Sequence, residues 1–293
     1  MCTTCGCDGD GHVSIVRLGS EDAGEAAAHR EHAHSHAHAP DHHHAHDHAH
    51  PHSHDHAHQH SHPHEHAPSS STVVELEARI LAKNDALAQK NRGWFAGREV
   101  LALNLVSAPG AGKTTLIERT IAELSGEPAL YVIEGDQASA LDGERIRAAG
   151  APVVQVNTGT GCHLDAAMVT RGLSELRPGP GAVVLIENVG NLVCPALFDL
   201  GEHAKVVIFS VTEGEDKPVK YPHMFQAARL ILLNKGDLLP HLDFDLEQAL
   251  ENVRSVNPEA TVLQVSARTG EGMAAWYDWL RYQAAAAREA GFA

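Results

Sequence analysis

The segment at residues 100–114 constrains the fold of this chain more than any other. An apolar run at 100–106 leads directly into Ser107-Ala-Pro-Gly-Ala-Gly-Lys-Thr114, and a helical pattern follows at 113–124. This strand–loop–helix pattern predicts a P-loop, with Ser107 in place of the usual first glycine. Gly110 and Gly112 let backbone amides turn inward onto phosphate oxygens, and the helix N-terminus adds its dipole. A glycine-rich turn without a ligand is the alternative reading, but the required strand–loop–helix context favours phosphate binding.

Two side chains of this loop carry chemistry. We expect Lys113 to reach the β- and γ-phosphates of a nucleoside triphosphate, and the Thr114 hydroxyl to ligate Mg²⁺. The residues expected to contact the nucleotide here are Gly110, Ala111, Gly112, Lys113, Thr114 and Thr115.

The remaining apolar segments predict the fold class. They are continuous Val/Ile/Leu runs, as expected for parallel strands buried on both faces. Helical patterns lie between most of them, which predicts an α/β domain with a doubly wound, mostly parallel sheet. Ligands of such folds bind at the carboxyl ends of the strands. The predicted strands are 100–106, 129–133, 153–156, 182–186, 206–211, 230–233 and 262–265, and the predicted helices include 113–124, 164–176, 246–256 and 272–288.

An earlier helix is predicted at 73–91. A capping box formed by Thr72 and Glu75 marks its start, and Gly93 marks its end.

Residues 1–72 have a different composition from the rest. Nineteen of the 24 histidines lie at 29–66, and ten acidic residues face only two basic ones. Half of the formal net charge of −16 therefore falls on this segment. With few large apolar side chains it cannot offset the entropy of ordering. We predict a disordered tail over 1–72 and one domain over 73–293, which is long enough to bury a sizeable core.

Composition also argues against several classes of partner. The apolar runs are far shorter than the ~20 residues that a membrane span needs. The N-terminus lacks a basic segment followed by an apolar block, which is the pattern of a secretory signal, so none is predicted. The acidic balance, with no basic stripe, argues against nucleic acid. Of five cysteines, three lie within residues 1–7, which fits thiol metal ligands in a reducing cytoplasm better than disulfides.

A second motif predicts which base is bound. The strand at 230–233 ends in Asn234-Lys-Gly-Asp237. Asp237 can accept hydrogen bonds from N1–H and the exocyclic amine of guanine, whereas adenine offers no matching pair of donors. Asn234 is expected to tie the base edge to the phosphate loop, with the Lys235 stem over the ring. Ser266 and Ala267 follow another strand, where the Ala267 amide can donate to guanine O6. Together these residues predict GTP rather than ATP.

Acidic residues follow two further strands. Asp136 ends Ile-Glu-Gly-Asp, and Glu187 begins Glu-Asn-Val-Gly. Both are placed to hold Mg²⁺ or to position the attacking water, and the Gly190 amide can follow the γ-phosphate. Capping of the next helix or turn is the alternative for each carboxylate. Lys113, Asp136 and Glu187 are the residues expected to carry GTP hydrolysis.

A metal site is predicted from Cys162, His163 and Cys194. Two thiolates and an imidazole suit Zn²⁺ or Ni²⁺. Because Cys162 and His163 are adjacent, one chain is expected to chelate a single ion poorly with both, which favours a site shared between two subunits. The alternative is that both cysteines are small core fillers. Cys194 lies shortly after Gly190, so the nucleotide state can move a metal ligand.

The N-terminal region offers further ligands. Cys2, Cys5 and Cys7 place three thiols within six residues, enough for a tight site of soft ligands. The histidine-rich segment predicts a metal store of high capacity and low selectivity, against the alternative of a solubilising linker. Its candidate ligands include His32, His34, His36, His42, His43 and His44, whereas His203, His223 and His241 are expected to be surface or structural.

Taken together, these motifs resemble the HypB family of hydrogenase nickel-incorporation GTPases, in the SIMIBI class of P-loop GTPases. The likeness runs from about residue 73 to the C-terminus and includes the N-terminal cysteines and the histidine-rich tail. Urease nickel chaperones and the GTPase chaperones of cobalamin mutases share the P-loop but are not expected to carry the 188–195 segment. The motifs that carry the likeness are Ser-x-Pro-Gly-x-Gly-Lys-Thr, Glu-Gly-Asp, Glu-Asn-Val-Gly-Asn-Leu-Val-Cys-Pro, Glu-Gly-Glu-Asp-Lys-Pro and Asn-Lys-Gly-Asp.

The resemblance implies a GTP-hydrolysing, Mg²⁺-dependent nickel chaperone that delivers Ni²⁺ to a hydrogenase large-subunit precursor. It also implies a high-affinity Ni²⁺ site at Cys2, Cys5 and Cys7, and Ni²⁺ or Zn²⁺ binding by the residues matching Cys162, His163 and Cys194. A GTP-dependent homodimer and the small nickel chaperone HypA are the implied partners. Two alternatives stay open: a metal-storage protein with a regulatory G domain, and a GTPase chaperone for another nickel or cobalamin enzyme.

Overall fold

In the part of the chain that the structure describes, one eight-stranded sheet forms the centre. The computed structural model describes residues 13–18, 70–124, 126–137 and 140–290, with side chains of the first helix from residue 78 onward. The strands are β1 (Ser14–Leu18), β2 (Leu101–Ser107), β3 (Leu130–Asp136), β4 (Val153–Asn157), β5 (Val183–Glu187), β6 (Ala204–Ser210), β7 (Ala228–Asn234) and β8 (Thr261–Gln264). The helices are α1 (Ser70–Ala96), α2 (Lys113–Leu124), α3 (Leu141–Ala149), α4 (Ala166–Leu176), α5 (Cys194–Leu197), α6 (Lys217–Lys220), α7 (Pro222–Ala227), α8 (Leu246–Val256) and α9 (Met273–Ala290), and a 3₁₀ turn spans Gly236–His241.

The sheet confirms the predicted α/β class. Its strand order is β1-β4-β3-β5-β2-β6-β7-β8, and β1 is the antiparallel member. The P-loop strand β2 lies between β5 and β6 and is parallel to both. Leu105 of β2 lies opposite Glu187, the last residue of β5. The parallel pairing therefore brings the loops after β2, β3, β5 and β7 to one edge of the sheet.

The two faces of the sheet bury separate clusters, because successive strand residues point to opposite faces. Leu103 and Leu105 pack with residues of α2 and α9, including the fully buried Trp276. Ala102 packs on the other face with Phe95 of α1 and residues of α4. Helices thus cover both faces, as the doubly wound arrangement predicts.

The first helix is longer than predicted. It covers Ser70–Ala96 rather than 73–91, so Thr72 lies inside the helix instead of capping it, and Gly93 does not end it. The reason is tertiary packing: Phe95 is fully buried in the core, and this burial outweighs the low helix propensity of one glycine. Helix α3 was absent from the predicted set, whereas α2 and α8 have the predicted bounds.

The prediction of a disordered tail over 1–72 is wrong at 13–18. These residues form β1, which pairs antiparallel with β4 from Ser14 opposite Asn157 to Leu18 opposite Val153. Val13 and Ile15 pack against one core cluster and Leu18 against the other. Backbone pairing with the edge of β4 and apolar side chains on both faces thus stabilise this short strand. The polar residues around it in the chain gave no indication of it.

Among the described helices, none combines the length and the apolar character that crossing a membrane requires.

Helix α1 docks closely on the loop before β6. Gly201 of that loop has φ +85°, and a Cβ placed there would lie 2.5 Å from the Ala88 carbonyl oxygen and 2.7 Å from the Asn91 Cβ. Glycine is therefore required both for its backbone conformation and for the approach of the helix.

We expect Gly201→Ala to lower the free energy of unfolding more than Gly150→Ala does. Gly150 also has positive φ (+106°), but a Cβ there meets nothing within 4 Å. Gly150→Ala should cost about 1 kcal/mol of backbone strain, and Gly201→Ala about 1–3 kcal/mol more for the clash with α1. Urea denaturation of both variants measures the difference. Equal losses would show that α1 does not pack on Gly201 as described.

Candidate nucleotide site and metal centre

The loop after β2 is shaped for close approach of a phosphate. Gly110 and Gly112 have φ values of +72° and +98°, and a Cβ at Gly112 would lie 2.6 Å from the Asn234 amide nitrogen. Lys113 and Thr114 are buried at the start of α2. The Lys113 ammonium donates to Ser107 Oγ at 2.9 Å, so Ser107 supplies a contact that a glycine would lack.

A pocket of about 490 Å³ lies in front of this loop. It brings together most of the residues that the sequence assigned to phosphate, Mg²⁺ and hydrolysis. The pocket also contains two residues that sequence reasoning missed, Asp142 and Arg145 of α3. The Arg145 guanidinium donates to Thr115 Oγ1 at 3.2 Å and to Glu118 Oε2 at 2.6 Å. The available signal was an Asp-x-x-Arg pattern shortly after Glu-Gly-Asp. The sequence-predicted members of the lining are Gly110, Gly112, Lys113, Thr114, Thr115, Asp136, Glu187 and Gly190.

The acidic side of this pocket fits a divalent cation. Thr114 Oγ1 donates to Glu187 Oε1 at 2.7 Å, while Glu187 Oε2 is buried and has no hydrogen-bond partner. Burial raises the pKa of Glu187 to about 7, although Lys113 opposes the shift. Glu134 lies opposite Glu187 across β3 and β5, and burial together with the Glu187 charge raises its pKa to about 9. A bound cation would favour the ionised form of Glu187, and Thr114, Glu187 and the nearby Asp136 offer hard oxygen ligands.

A second pocket of about 280 Å³ adjoins the first and shares Gly112 and Thr115 with it. The side chain of Asn234 ties the two together, because its amide nitrogen donates to the Ala111 carbonyl at 2.8 Å. Lys235 Nζ donates to the Gly110 carbonyl at 2.7 Å. The Asp237 carboxylate accepts from Ser266 Oγ at 2.6 Å and lines this pocket.

The Ala267 amide is used differently from the prediction. It donates to Asn234 Oδ1 at 3.0 Å, so in this structure it is not directed at an incoming O6. The physical reason is that Asn234 is buried and needs partners for both ends of its amide. Arg268, the next residue, lines the same pocket.

Cys162, His163 and Cys194 converge within one chain. Their candidate ligand atoms all lie within 4.8 Å of one another. The two sulfurs are 3.1 Å apart, and Cys162 Sγ is 3.7 Å from His163 Nδ1. The turn at 158–163 thus brings the adjacent Cys162 and His163 close to Cys194 within one chain, whereas the prediction that they chelate a single ion poorly stays a prediction. The cysteines also lie outside the hydrophobic core, contrary to the core-filler alternative.

His163 is prepared to act as a neutral ligand. Its ring is buried and packs on Phe198 with a centroid distance of 3.9 Å. Burial lowers the pKa of His163, against the opposing effect of Asp165. The neutral imidazole is the form that binds metals.

The segment from Glu187 to Cys194 connects the phosphate pocket to the metal centre. Gly190 lies against the P-loop, where a Cβ would come within 3.1 Å of Pro109 Cα. Asn188 Oδ1 accepts from the Leu164 amide at 3.0 Å, next to His163. Asn191 donates to the Cys162 carbonyl at 3.4 Å. This segment therefore contacts the P-loop at Gly190 and the loop that carries Cys162 and His163 at Asn188 and Asn191.

The remaining predicted ligands lie outside the described residues, so their predicted roles stay predictions. They are Cys2, Cys5, Cys7, His32, His34, His36, His42, His43 and His44.

Fold and site define a P-loop nucleotide-binding protein, with Cys162, His163 and Cys194 clustered beside the phosphate pocket. The family model described as CobW/HypB/UreG, nucleotide-binding domain, matches residues 101–264. Over 217 residues the chain is 57% identical to the hydrogenase maturation factor HypB of Rhizobium leguminosarum bv. viciae, covering 74% of this chain and 73% of that protein. It is 54% identical over 215 residues to HypB of Escherichia coli (strain K12), covering 73% and 74%. The chain belongs to the HypB family of hydrogenase maturation factors.

Solved structures give the same result. HypB from Archaeoglobus fulgidus matches with a TM-score of 0.65 and 41% identity, covering 70% of this chain and 100% of that one. HypB from Helicobacter pylori, solved in complex with nickel, matches with a TM-score of 0.65 and 33% identity, covering 69% and 95%.

We expect Cys162 and Cys194 to form an intramolecular disulfide when the metal-free protein is treated with diamide. The two thiols lose their protons and electrons to diamide, which becomes the hydrazine. The short distance between the sulfurs favours this reaction, and bound Ni²⁺ should slow it by occupying both thiolates. Peptide mass spectrometry of a Cys2/Cys5/Cys7→Ser chain measures the product. Only intermolecular disulfides, or none, would contradict the convergence of the two thiols in one chain.

Proposed function

We propose that this chain hydrolyses GTP to GDP and phosphate and uses its nucleotide state to control a Ni²⁺ ion held by Cys162, His163 and Cys194. The ion is cargo, destined for a hydrogenase large-subunit precursor. The observation that carries the proposal is the segment from Glu187 to Cys194, which contacts the P-loop at one end and supplies a metal ligand at the other.

The nucleotide half of the proposal follows from the two pockets. Phosphoryl transfer depends on positioning and on charge stabilisation rather than on covalent chemistry. Lys113 and Arg145 supply positive charge around the phosphates. The Gly190 amide is placed to follow the γ-phosphate. Thr114, Asp136 and Glu187 would hold Mg²⁺, which neutralises phosphate charge when bound. Asp237 and Asn234 recognise guanine, with Lys235, Ser266 and Ala267 shaping the pocket.

The proposed partners follow from the incomplete set of metal ligands in one chain. One chain offers three ligands, whereas tetrahedral Zn²⁺ and many Ni²⁺ sites need at least four. Val193 and Leu197, on either side of Cys194, are apolar and each 50% exposed. A second protein surface covering this rim would bury them and complete the coordination. We propose a GTP-dependent homodimer there, and HypA as the partner that exchanges metal with the chain.

A role as a metal store alone is less well supported. The nucleotide pockets adjoin one another, and they are lined by the basic residues, acidic residues and glycines that binding a nucleoside triphosphate requires. Storage in the histidine-rich tail is compatible with the proposed function and adds capacity to it.

The affinity of the Cys162/His163/Cys194 centre for Ni²⁺ should differ by about tenfold or more between GDP and a non-hydrolysable GTP analogue, a typical allosteric coupling. Thiolate-to-nickel charge-transfer absorption in a Cys2/Cys5/Cys7→Ser chain reports these thiols separately from the histidine tail. The band should vanish in Cys162→Ala/Cys194→Ala. Equal affinities with both nucleotides would refute the proposed control.

Gly190→Ala tests whether the segment from Glu187 to Cys194 carries the effect of the nucleotide to the metal ligands. The added Cβ should push this segment away from Pro109 of the P-loop. The ratio of the two nickel affinities should fall toward one. Gly179→Ala is the matched control, since a Cβ there meets nothing within 4 Å and should leave the ratio as in the wild type.

Asp237→Ala should weaken GTP binding by about one to two orders of magnitude, because guanine N1–H and the exocyclic amine lose their charged acceptor. ATP binding should stay weak and nearly unchanged, so the preference for guanine shrinks. Calorimetry with GTP and with ATP measures this preference. Asp243→Ala, at an exposed position, is the control for the loss of a surface charge. A parallel loss of ATP binding would instead indicate damage to the pocket.

A further inference from the structure

Two asparagines of α1 contact the segments that follow the candidate metal ligands in the chain. Asn84 and Asn91 are seven residues apart, which places them on one face of the helix. Their exposed fractions are 6% and 2%. Neither belongs to the nucleotide pockets or to the three candidate metal ligands. A buried amide side chain requires partners for both its ends, so their contacts show what these residues hold.

Asn84 bridges the two segments that carry the metal ligands. Its Nδ2 donates to the Asp199 carbonyl at 2.7 Å, and its Oδ1 accepts from the Ala166 amide at 2.9 Å. Ala166 follows His163 by three residues, and Asp199 follows Cys194 by five. One side chain thus joins the first residue of α4, just after the Cys162/His163 loop, to the segment just after α5.

Asn91 makes a similar bridge about two turns further along the helix. Its Nδ2 donates to the Ala166 carbonyl at 2.9 Å and to the Leu200 carbonyl at 3.0 Å. Thr170 Oγ1 lies 2.8 Å from Asn91 Oδ1 and 2.8 Å from the Ala166 carbonyl oxygen, so its single proton is shared between an acceptor on Asn91 and the carbonyl to which Asn91 Nδ2 donates. Both asparagines therefore join the same two segments.

The Ala166 amide has few other hydrogen-bond acceptors available. Ala166 is the first residue of α4, so its amide is one of the donors that a helix leaves unpaired at its N-terminus. Satisfying it from α1, 82 positions away in the chain, costs chain entropy that a local cap would avoid. The arrangement instead makes the relative position of the two ligand segments depend on α1.

We propose that Asn84 and Asn91 are positioning residues of the metal centre. By fixing the Cys162/His163 loop against the segment that follows Cys194, they hold the two sulfurs and the imidazole close enough to bind one ion. The inference deepens the proposed function, because it rests on these three residues binding Ni²⁺. Groups that hydrogen-bond directly to metal ligands commonly account for ten- to a hundredfold in metal affinity. The two asparagines act through backbone groups next to the candidate ligands, so we expect an effect at the lower end of that range.

Asn84→Asp is the sharpest test. The aspartate keeps an acceptor for the Ala166 amide but loses the donor to the Asp199 carbonyl. We expect the Ni²⁺ affinity of the centre to fall by about tenfold or more and the thiolate-to-nickel band to shift, while GTP affinity stays within about twofold because the P-loop is untouched. The experiment uses the full chain with Cys2/Cys5/Cys7→Ser.

Gln89→Glu is the matched control, since it makes the same amide-to-carboxylate change at an exposed position of the same helix. Arg92→Gln separates positioning from general stability. It removes the 2.9 Å ion pair between α1 and Asp199 but leaves both asparagine bridges, so it should lower stability without moving the nickel band.

If Asn84→Asp fails to fold, Thr170→Val gives the milder test. It removes the hydroxyl that contacts Asn91 and should lower Ni²⁺ affinity in the same direction by a smaller factor. An unchanged affinity and band in a folded Asn84→Asp or Thr170→Val chain would overturn the inference. A Cys2/Cys5/Cys7→Ser chain that shows no thiolate-to-nickel band, with Cys162 and Cys194 intact, would instead overturn the proposed function.

Discussion

The parallel pairing of β2 with β5 determines where most of the other functional groups lie. Because Leu105 is opposite Glu187, the carboxylate at the end of β5 reaches the hydroxyl of Thr114 at the start of α2. A shift of two residues in this register would move the carboxylate by about 7 Å. The acidic pocket would then lose its contact with the P-loop, and the segment leading to Cys194 would start from the wrong place.

Much of this arrangement was predictable because it depends on local sequence. The start of α2 follows from the Gly-Lys-Thr motif, whose Lys113 is the first residue of the helix, and the strand runs are apolar enough to be recognised alone. Residues 13–18 were missed because a strand of five residues is stabilised by its partner β4, which no local pattern reveals. Asp142 and Arg145 were missed for a similar reason, since their place in the pocket depends on how α3 packs beside α2.

The cluster of Cys162, His163 and Cys194 could not be placed from spacing alone. Cys162 and His163 are adjacent in sequence, and local hydrogen bonds hold the turn at 158–163 that carries them. Cys194 lies 32 positions after Cys162, so its approach to the other two depends on how the loops after β4 and β5 pack together. The contribution of α1 was equally hidden, because Asn84 and Asn91 act on segments 75 to 115 positions away.

The antiparallel direction of β1 has a consequence for the N-terminus. Since Ser14 pairs with Asn157, the chain enters the sheet at the same end where the nucleotide pockets and the metal centre lie. Cys7 precedes Ser14 by seven residues, a reach of at most about 25 Å for an extended chain. The covalent connection therefore sets an upper limit on the separation between the Cys7 sulfur and that end of the sheet, a limit that would not exist between separate molecules.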